Sequence, residues 1–103
     1  RVIIDYNIIQ SLGLTLEVIN LEPLKKMWSA FNWSAREING HDFRSIYNTL
    51  RRVPFKKGCP NAVIAHTIKG KGVSFMEGKL EWHYRSLDDQ AQYRQALEEV
   101  EQS

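Results

Sequence analysis

Two continuous apolar runs, Val2-Ile3-Ile4 and Ala62-Val63-Ile64-Ala65, constrain the fold of this chain more than any other feature. A strand with one wet face alternates apolar and polar residues. An unbroken run of β-branched and small apolar side chains suits a strand covered on both faces, as in a parallel sheet. Parallel strands need crossovers, and helical patterns stand between the runs. Pro23 suits the first turn of a helix, and Leu24, Met27, Trp28 and Phe31 follow at i, i+3, i+4 and i+7. Ala35–Ile38 mixes Arg36 and Glu37 with apolar neighbours and predicts an edge strand with a wet side. Asn39-Gly40 predicts a turn. Asp42 can cap a helix whose apolar face is Phe43, Ile46, Tyr47 and Leu50. Ser86 and Asp89 have capping-box spacing, ahead of a helix facing inward with Tyr93, Ala96, Leu97 and Val100.

The order is strand, helix, strand, helix, strand, loop, helix, which predicts an α/β layer fold with parallel strands. The composition places the Ala62–Ala65 run in the middle of the sheet and the more polar Ala35–Ile38 at an edge. The spatial order is then first, third, second strand. An uncovered outer edge of Val2–Ile4 would be a template for pairing with another chain. Ligands of open parallel sheets bind beyond the carboxyl ends of the strands. Residues 5–13 and 67–85 leave those ends, and a structureless loop as long as 69–85 is commonly functional or disordered.

Other classes of function are disfavoured. The formal net charge of +2 is too small to imply nucleic-acid binding. The basic stretch 51–57 reads as a solvated connector or as an anion or RNA patch. Cys59 stands alone, so no internal disulfide forms, and a reducing, cytoplasmic setting is the simpler expectation. No apolar run approaches the ~20 residues of a membrane helix, and no signal peptide is visible. Arg1 leads straight into a strand pattern, from which an absent N-terminal portion is expected.

Three segments could carry chemistry. Asn7 in Asp5-Tyr6-Asn7-Ile8-Ile9 offers a hard oxygen, as does a nearby backbone carbonyl, which suits Mg²⁺; Asn is equally common at strand ends as a turn former. Lys69-Gly70-Lys71-Gly72 lets backbone approach an anion beside positive charge, or is simply a basic turn. It lacks the Walker pattern. His83 within Glu81-Trp82-His83-Tyr84-Arg85 could bind phosphate or move a proton, or sit in an aromatic clasp. His41 reads as part of a helix start and His66 as a packed core residue. No two histidines have metal-ligand spacing.

Taken in order, Val2-Ile3-Ile4-Asp5-Tyr6-Asn7, Ile38-Asn39-Gly40-His41-Asp42, the stretch from Ala65-His66-Thr67-Ile68-Lys69-Gly70-Lys71-Gly72 to Glu77, and Glu81-Trp82-His83 resemble transketolase. The resemblance covers nearly the whole chain and is closest to the split bacterial type. It implies the three-layer α/β/α thiamine-diphosphate-binding fold, with residues 1–103 forming the C-terminal part of the diphosphate-binding domain. It implies thiamine diphosphate and Mg²⁺ (with Ca²⁺ a possible substitute) as cofactors. Asn7 and the Ile9 carbonyl are then the metal ligands. Lys69 lies near the cofactor, and His83 reaches both its diphosphate and the sugar substrate. The implied reaction moves a two-carbon ketol unit from a ketose phosphate to an aldose phosphate. A second subunit or domain would carry the pyrimidine-binding site and the activating glutamate, in an oligomeric enzyme. The family's Gly-Asp-Gly motif is absent from this chain. Leu12-Gly13 replaces the usual Asp-Gly, and Tyr84-Arg85 replaces a continuation that begins with Gly. The altered mouth points to a modified sugar as an alternative substrate, and a non-catalytic truncated fragment is a third possibility.

Overall fold

The computed structural model describes residues 1–102. These divide into two compact units. A sheet unit comprises Arg1–Asn7 and Ile19–Thr67; a loop unit comprises Ile8–Val18 and the chain from Ile68 onward.

The sheet unit is built on β1 (Val2–Tyr6), β4 (Ser34–Asn39) and β5 (Asn61–His66). All pairings are parallel and the order is β1-β5-β4, the order the composition predicts. The α/β class and the three parallel strands are as expected. Asn61 through Ala65 of β5 are buried, and Ile64 is 0% exposed. The first strand departs from expectation. Val2 and Ile4 are half-buried, but Ile3 is 61% exposed and Asp5 is exposed. β1 flanks only β5, and its continuous apolar run is covered on one face.

Helix α2 (Leu24–Ala30) follows Pro23 as predicted and ends where Asn32 adopts a left-handed backbone, φ 62°. The amides of Asn32 and Trp33 return to the carbonyls of Ser29 and Trp28, which satisfies the helix end. Trp28 meets Trp33 edge-on at 4.7 Å. Helix α3 (Phe43–Leu50) is capped by Asp42, whose carboxylate accepts the Arg44 amide at 2.9 Å. Its predicted apolar face is only partly covered: Ile46 and Leu50 are half-buried, while Phe43 is 87% exposed and Tyr47 is exposed. β4 has the predicted wet side. Arg36 lies 4.5 Å above the Phe55 ring, and Glu37 pairs with Lys25 at 3.7 Å.

The basic stretch 51–57 is a connector. The buried Asn61 side chain accepts the Phe55 amide at 2.8 Å and donates to the Cys59 carbonyl at 3.0 Å, tying the segment to the start of β5. His66 does not take the core position that the sequence predicts for it. It is the last residue of β5 and exposed, with its ring edge-on to Tyr6 and Nε2 3.4 Å from a Glu37 carboxylate oxygen. His41 does stand at a helix start, its amide bonded to the Asn39 side chain.

In the loop unit, β2 (Ile9–Gln10) and β3 (Gly13–Leu14) form a small antiparallel hairpin with Ser11 and Leu12 at the turn. Helix α1 (Thr15–Val18) follows, and the Thr15 amide donates to the Ile8 carbonyl at 2.8 Å. The sequence predicts only a loop here, because two-residue strands are too short to show alternation. The long segment from Ile68 folds through local turns. The Gly78 amide donates to the Lys69 carbonyl at 2.8 Å, and Glu77 receives both Lys71, at 3.2 Å, and the Gly72 amide. Gly70 has φ 73°, and a Cβ there would stand 2.7 Å from the Met76 carbonyl oxygen. A short 3-10 turn spans Leu80–His83, clamped where the Trp82 indole donates to the Phe75 carbonyl at 3.1 Å.

Helix α4 (Gln90–Gln102) is capped by Asp89, which accepts the Ala91 amide. The capping box predicted for Ser86 does not form, because the Ser86 hydroxyl bonds Asp88 instead. Of its predicted face only Ala96 is buried. No helix among the described residues is long and apolar enough to cross a membrane.

Candidate functional site

The carboxyl edge of the sheet is set by the last register pair of β1 and β5, Tyr6 opposite His66. Asn7 and Thr67 leave from that edge on neighbouring strands. The Thr67 amide donates to the Tyr6 carbonyl at 3.3 Å, and the Thr67 hydroxyl donates to the Asp5 carboxylate. Asn7 is half-buried. The neighbouring Gly40 amide donates to the His66 carbonyl at 2.8 Å. A Cβ on Gly40 would meet the Thr67 methyl group and stand 3.1 Å from that carbonyl oxygen, so only glycine fits.

The Tyr6 hydroxyl donates to Glu22 at 2.6 Å. This bond, with burial and the Glu22 charge, pushes the phenol up to about 12. Glu22 is held below the ordinary carboxylate range by the same bond and by the Leu24 amide. The two groups bound a pH window. The Tyr6 contribution is fully present below the ordinary phenol value of 10.0 and is lost as pH rises through about 12. The Glu22 contribution is present above the ordinary carboxylate value of 4.5 and is lost as pH falls through its lowered value. Glu22→Gln is expected to bring the Tyr6 titration down from about 12 towards the ordinary phenol value of 10.0. Ultraviolet phenolate absorbance measures this, with Tyr6→Phe assigning the step. An unmoved step would mean that the carboxylate does not govern the phenol.

The remaining sequence-predicted residues belong to the loop unit. Ile9 opens β2, and Lys69 is half-buried, its carbonyl closing the loop with Gly78. Between Asn7 and Ile9 stands Ile8, with φ 59°. A β-branched side chain in the left-handed region costs about 1–2 kcal/mol, and such strain clusters at ligand clamps and active sites. His83 ends the 3-10 turn. Its Nε2 is hydrogen-bonded to the Ser11 hydroxyl at 3.0 Å. Its Nδ1 is buried and has no hydrogen-bond partner among the described residues. Tyr84 packs edge-on to the imidazole at 4.6 Å and is otherwise 80% exposed, while the Arg85 guanidinium lies 5.0 Å over the Trp82 ring. Ile8 and Ser11 carry no signal of this kind in the sequence. An isoleucine favours extended backbone, and a serine in a loop is unremarked.

Among the described residues no group of three or more His, Cys, Asp and Glu side chains could hold a metal ion. The donors that remain are an amide oxygen on Asn7 and a backbone carbonyl on Ile9. Both are hard oxygens. They suit Mg²⁺ or Ca²⁺ and not a soft transition metal, provided that the ligand brings further oxygens of its own. A lysine such as Lys69 and an imidazole N–H such as His83 can offer are of the chemistry that receives a phosphorylated ligand. Taken one by one, these groups are of classes that suit a diphosphate or its hard cation.

No family model matches the chain. It is 42% identical over 98 residues to an apulose-4-phosphate transketolase subunit of Phocaeicola vulgatus, across 95% of this chain and 34% of that protein. It is 39% identical over 97 residues to the 6-deoxy-6-sulfo-D-fructose transketolase subunit SqwG of a Clostridium species, across 94% of this chain and 35% of that one. The crystal structure of transketolase from Campylobacter jejuni superposes with a TM-score of 0.71 at 25% identity, over 98% of this chain and 20% of that one. This chain is a homologue of transketolase subunits. The homologue spans about a third of the length of the relatives it matches.

Proposed function

We propose that this transketolase homologue forms part of a thiamine-diphosphate-dependent enzyme that transfers a two-carbon ketol unit between phosphorylated or otherwise anionic sugars. Residues 1–103 would be the C-terminal part of its diphosphate-binding domain, working in the cytoplasm with a second subunit that carries the pyrimidine-binding site. What carries the reading is the 42% identity, over 95% of the chain, to a subunit of a transketolase. That relative acts, by its name, on apulose 4-phosphate, and another acts on a sulfonated deoxyfructose. A modified, strongly anionic ketose is the substrate class we favour over an ordinary ketose phosphate. The exposed Tyr84 beside His83 agrees with an altered substrate mouth.

When bound, thiamine diphosphate supplies the carbanion-stabilising centre that side chains lack. The chain's own share is binding and orientation. Asn7 and the Ile9 carbonyl would hold Mg²⁺. Lys69 would balance diphosphate charge. His83 would donate from Nε2 to an anionic oxygen of cofactor or substrate, which makes it the catalytic residue of this chain.

The complete polypeptide with its partner subunit tests the assignment. Asn7→Ala is expected to weaken thiamine diphosphate binding roughly 10- to 100-fold in Mg²⁺, the effect of losing an interaction with a charged group. Calorimetric titration reads it, and repeating the titration in Ca²⁺ should show the same loss. Wild-type affinity in the variant would remove Asn7 from the site.

A further inference from the structure

We propose that Ser11 is a positioning residue for His83. The proposal rests on the reading of His83 as a ligand-facing group. An imidazole has two nitrogens, and here one is out of reach of a ligand: Nδ1 is buried. The nitrogen left to meet a ligand is Nε2, and the Ser11 hydroxyl sits on it at 3.0 Å. The χ2 torsion of a histidine is broad, so the ring needs a second point of attachment to present one nitrogen steadily. Tyr84 meets the ring edge-on, a contact that selects neither ring nitrogen. Ser11 supplies the missing point.

The two partners are held independently. Ser11 occupies the two-residue turn of the hairpin whose register pairs Gln10 with Gly13, so a backbone ladder delivers its hydroxyl. His83 closes a 3-10 turn that Trp82 anchors to the Phe75 carbonyl. A hydroxyl both donates and accepts. It can therefore keep its bond to Nε2 in either tautomer, and it can stay there while the single Nε2–H is shared with an anionic oxygen in a three-centre bond. Alanine would remove the bond, and threonine would keep it.

The test uses the complete polypeptide with its partner subunit. Calorimetry gives the Kd for thiamine diphosphate in Mg²⁺, and steady-state kinetics give KM and kcat for a phosphorylated ketose donor. The variants are Ser11→Ala, Ser11→Thr, His83→Ala and the Ser11→Ala/His83→Ala pair. Ser11→Ala is expected to raise Kd or KM roughly three- to tenfold, the effect of one neutral hydrogen bond, with a smaller change in kcat. Ser11→Thr should recover most of the loss. In the His83→Ala background Ser11→Ala should add nothing, the non-additivity of residues acting through one another. Wild-type constants in Ser11→Ala beside an impaired His83→Ala would overturn the role of Ser11 and spare that of His83. An equal Ser11→Ala effect in both backgrounds would also overturn it, since Ser11 would then act elsewhere. Unchanged constants in His83→Ala would bring down the reading of His83 and the proposal with it.

Discussion

Replacing Ile64 with alanine is expected to destabilise the sheet unit by roughly 2–5 kcal/mol, the range for truncating a buried aliphatic side chain. Ile64 is 0% exposed and sits in the centre of β5, flanked by Ile4 of β1 and Glu37 of β4. The loss combines transfer of the missing methyl and methylene groups with the cavity they leave. Neighbours already fixed by two parallel ladders have little room to collapse into that cavity. Chemical denaturation followed by tryptophan fluorescence reports it, since Trp28 and Trp33 lie in the same unit. Ile3→Ala is the control. Its side chain is largely in water, and surface changes usually stay within about 0.5 kcal/mol. Equal effects at both positions would contradict the burial of β5 relative to β1.

Gly70→Ala is expected to open the loop that carries Lys69. Two costs coincide at this residue. The backbone at φ 73° disfavours any L side chain by about 1–2 kcal/mol. A Cβ would also come within 2.7–2.8 Å of Met76 backbone and side-chain atoms, so one wall must move. Overpacking of this kind adds roughly 1–3 kcal/mol. The bond from the Gly78 amide to the Lys69 carbonyl closes the same loop and should break first. Faster hydrogen exchange at the Gly78 amide, with protection in β5 unchanged, is the expected result. Substitution of Gly72 gives the contrast, because a Cβ there meets nothing within 4 Å and only the φ penalty remains. If the two variants behave alike, the contact with Met76 is not what holds the loop.

Where side-chain pattern reports directly on burial, the sequence predicts the fold well. The uniform apolar run of Ala62–Ala65 places β5 in the centre, and Arg36 and Glu37 mark β4 as an edge. Asp42 caps α3 as its position suggests. The failures share a cause. A run such as Val2-Ile3-Ile4 shows that a strand is apolar, but not how many of its faces are covered in this chain. His66 looks internal because it follows buried residues, yet it is the last residue of β5, where the strand ends. For the residues expected in a site, Asn7, Ile9, Lys69 and His83, the donor or cationic character of each was legible. Their supports were not. The left-handed Ile8 contradicts the preference of its own side chain, and the Ser11–His83 bond joins residues 72 apart in sequence.

The sheet order β1-β5-β4 has a consequence for the clock of solvent exchange. Along a parallel strand, successive amides point to opposite sides, so β5 spends its amides alternately on two neighbours and leaves none of its interior ones facing water. β1 has one neighbour, and every second amide in it points away from the sheet. Deuterium uptake should therefore run in step with residue parity along β1, fast and slow by turns, while the middle of β5 takes up label as one slow block. That two-residue rhythm would vanish if another strand came to lie beside β1, which makes the pattern a direct gauge of whether that edge is covered.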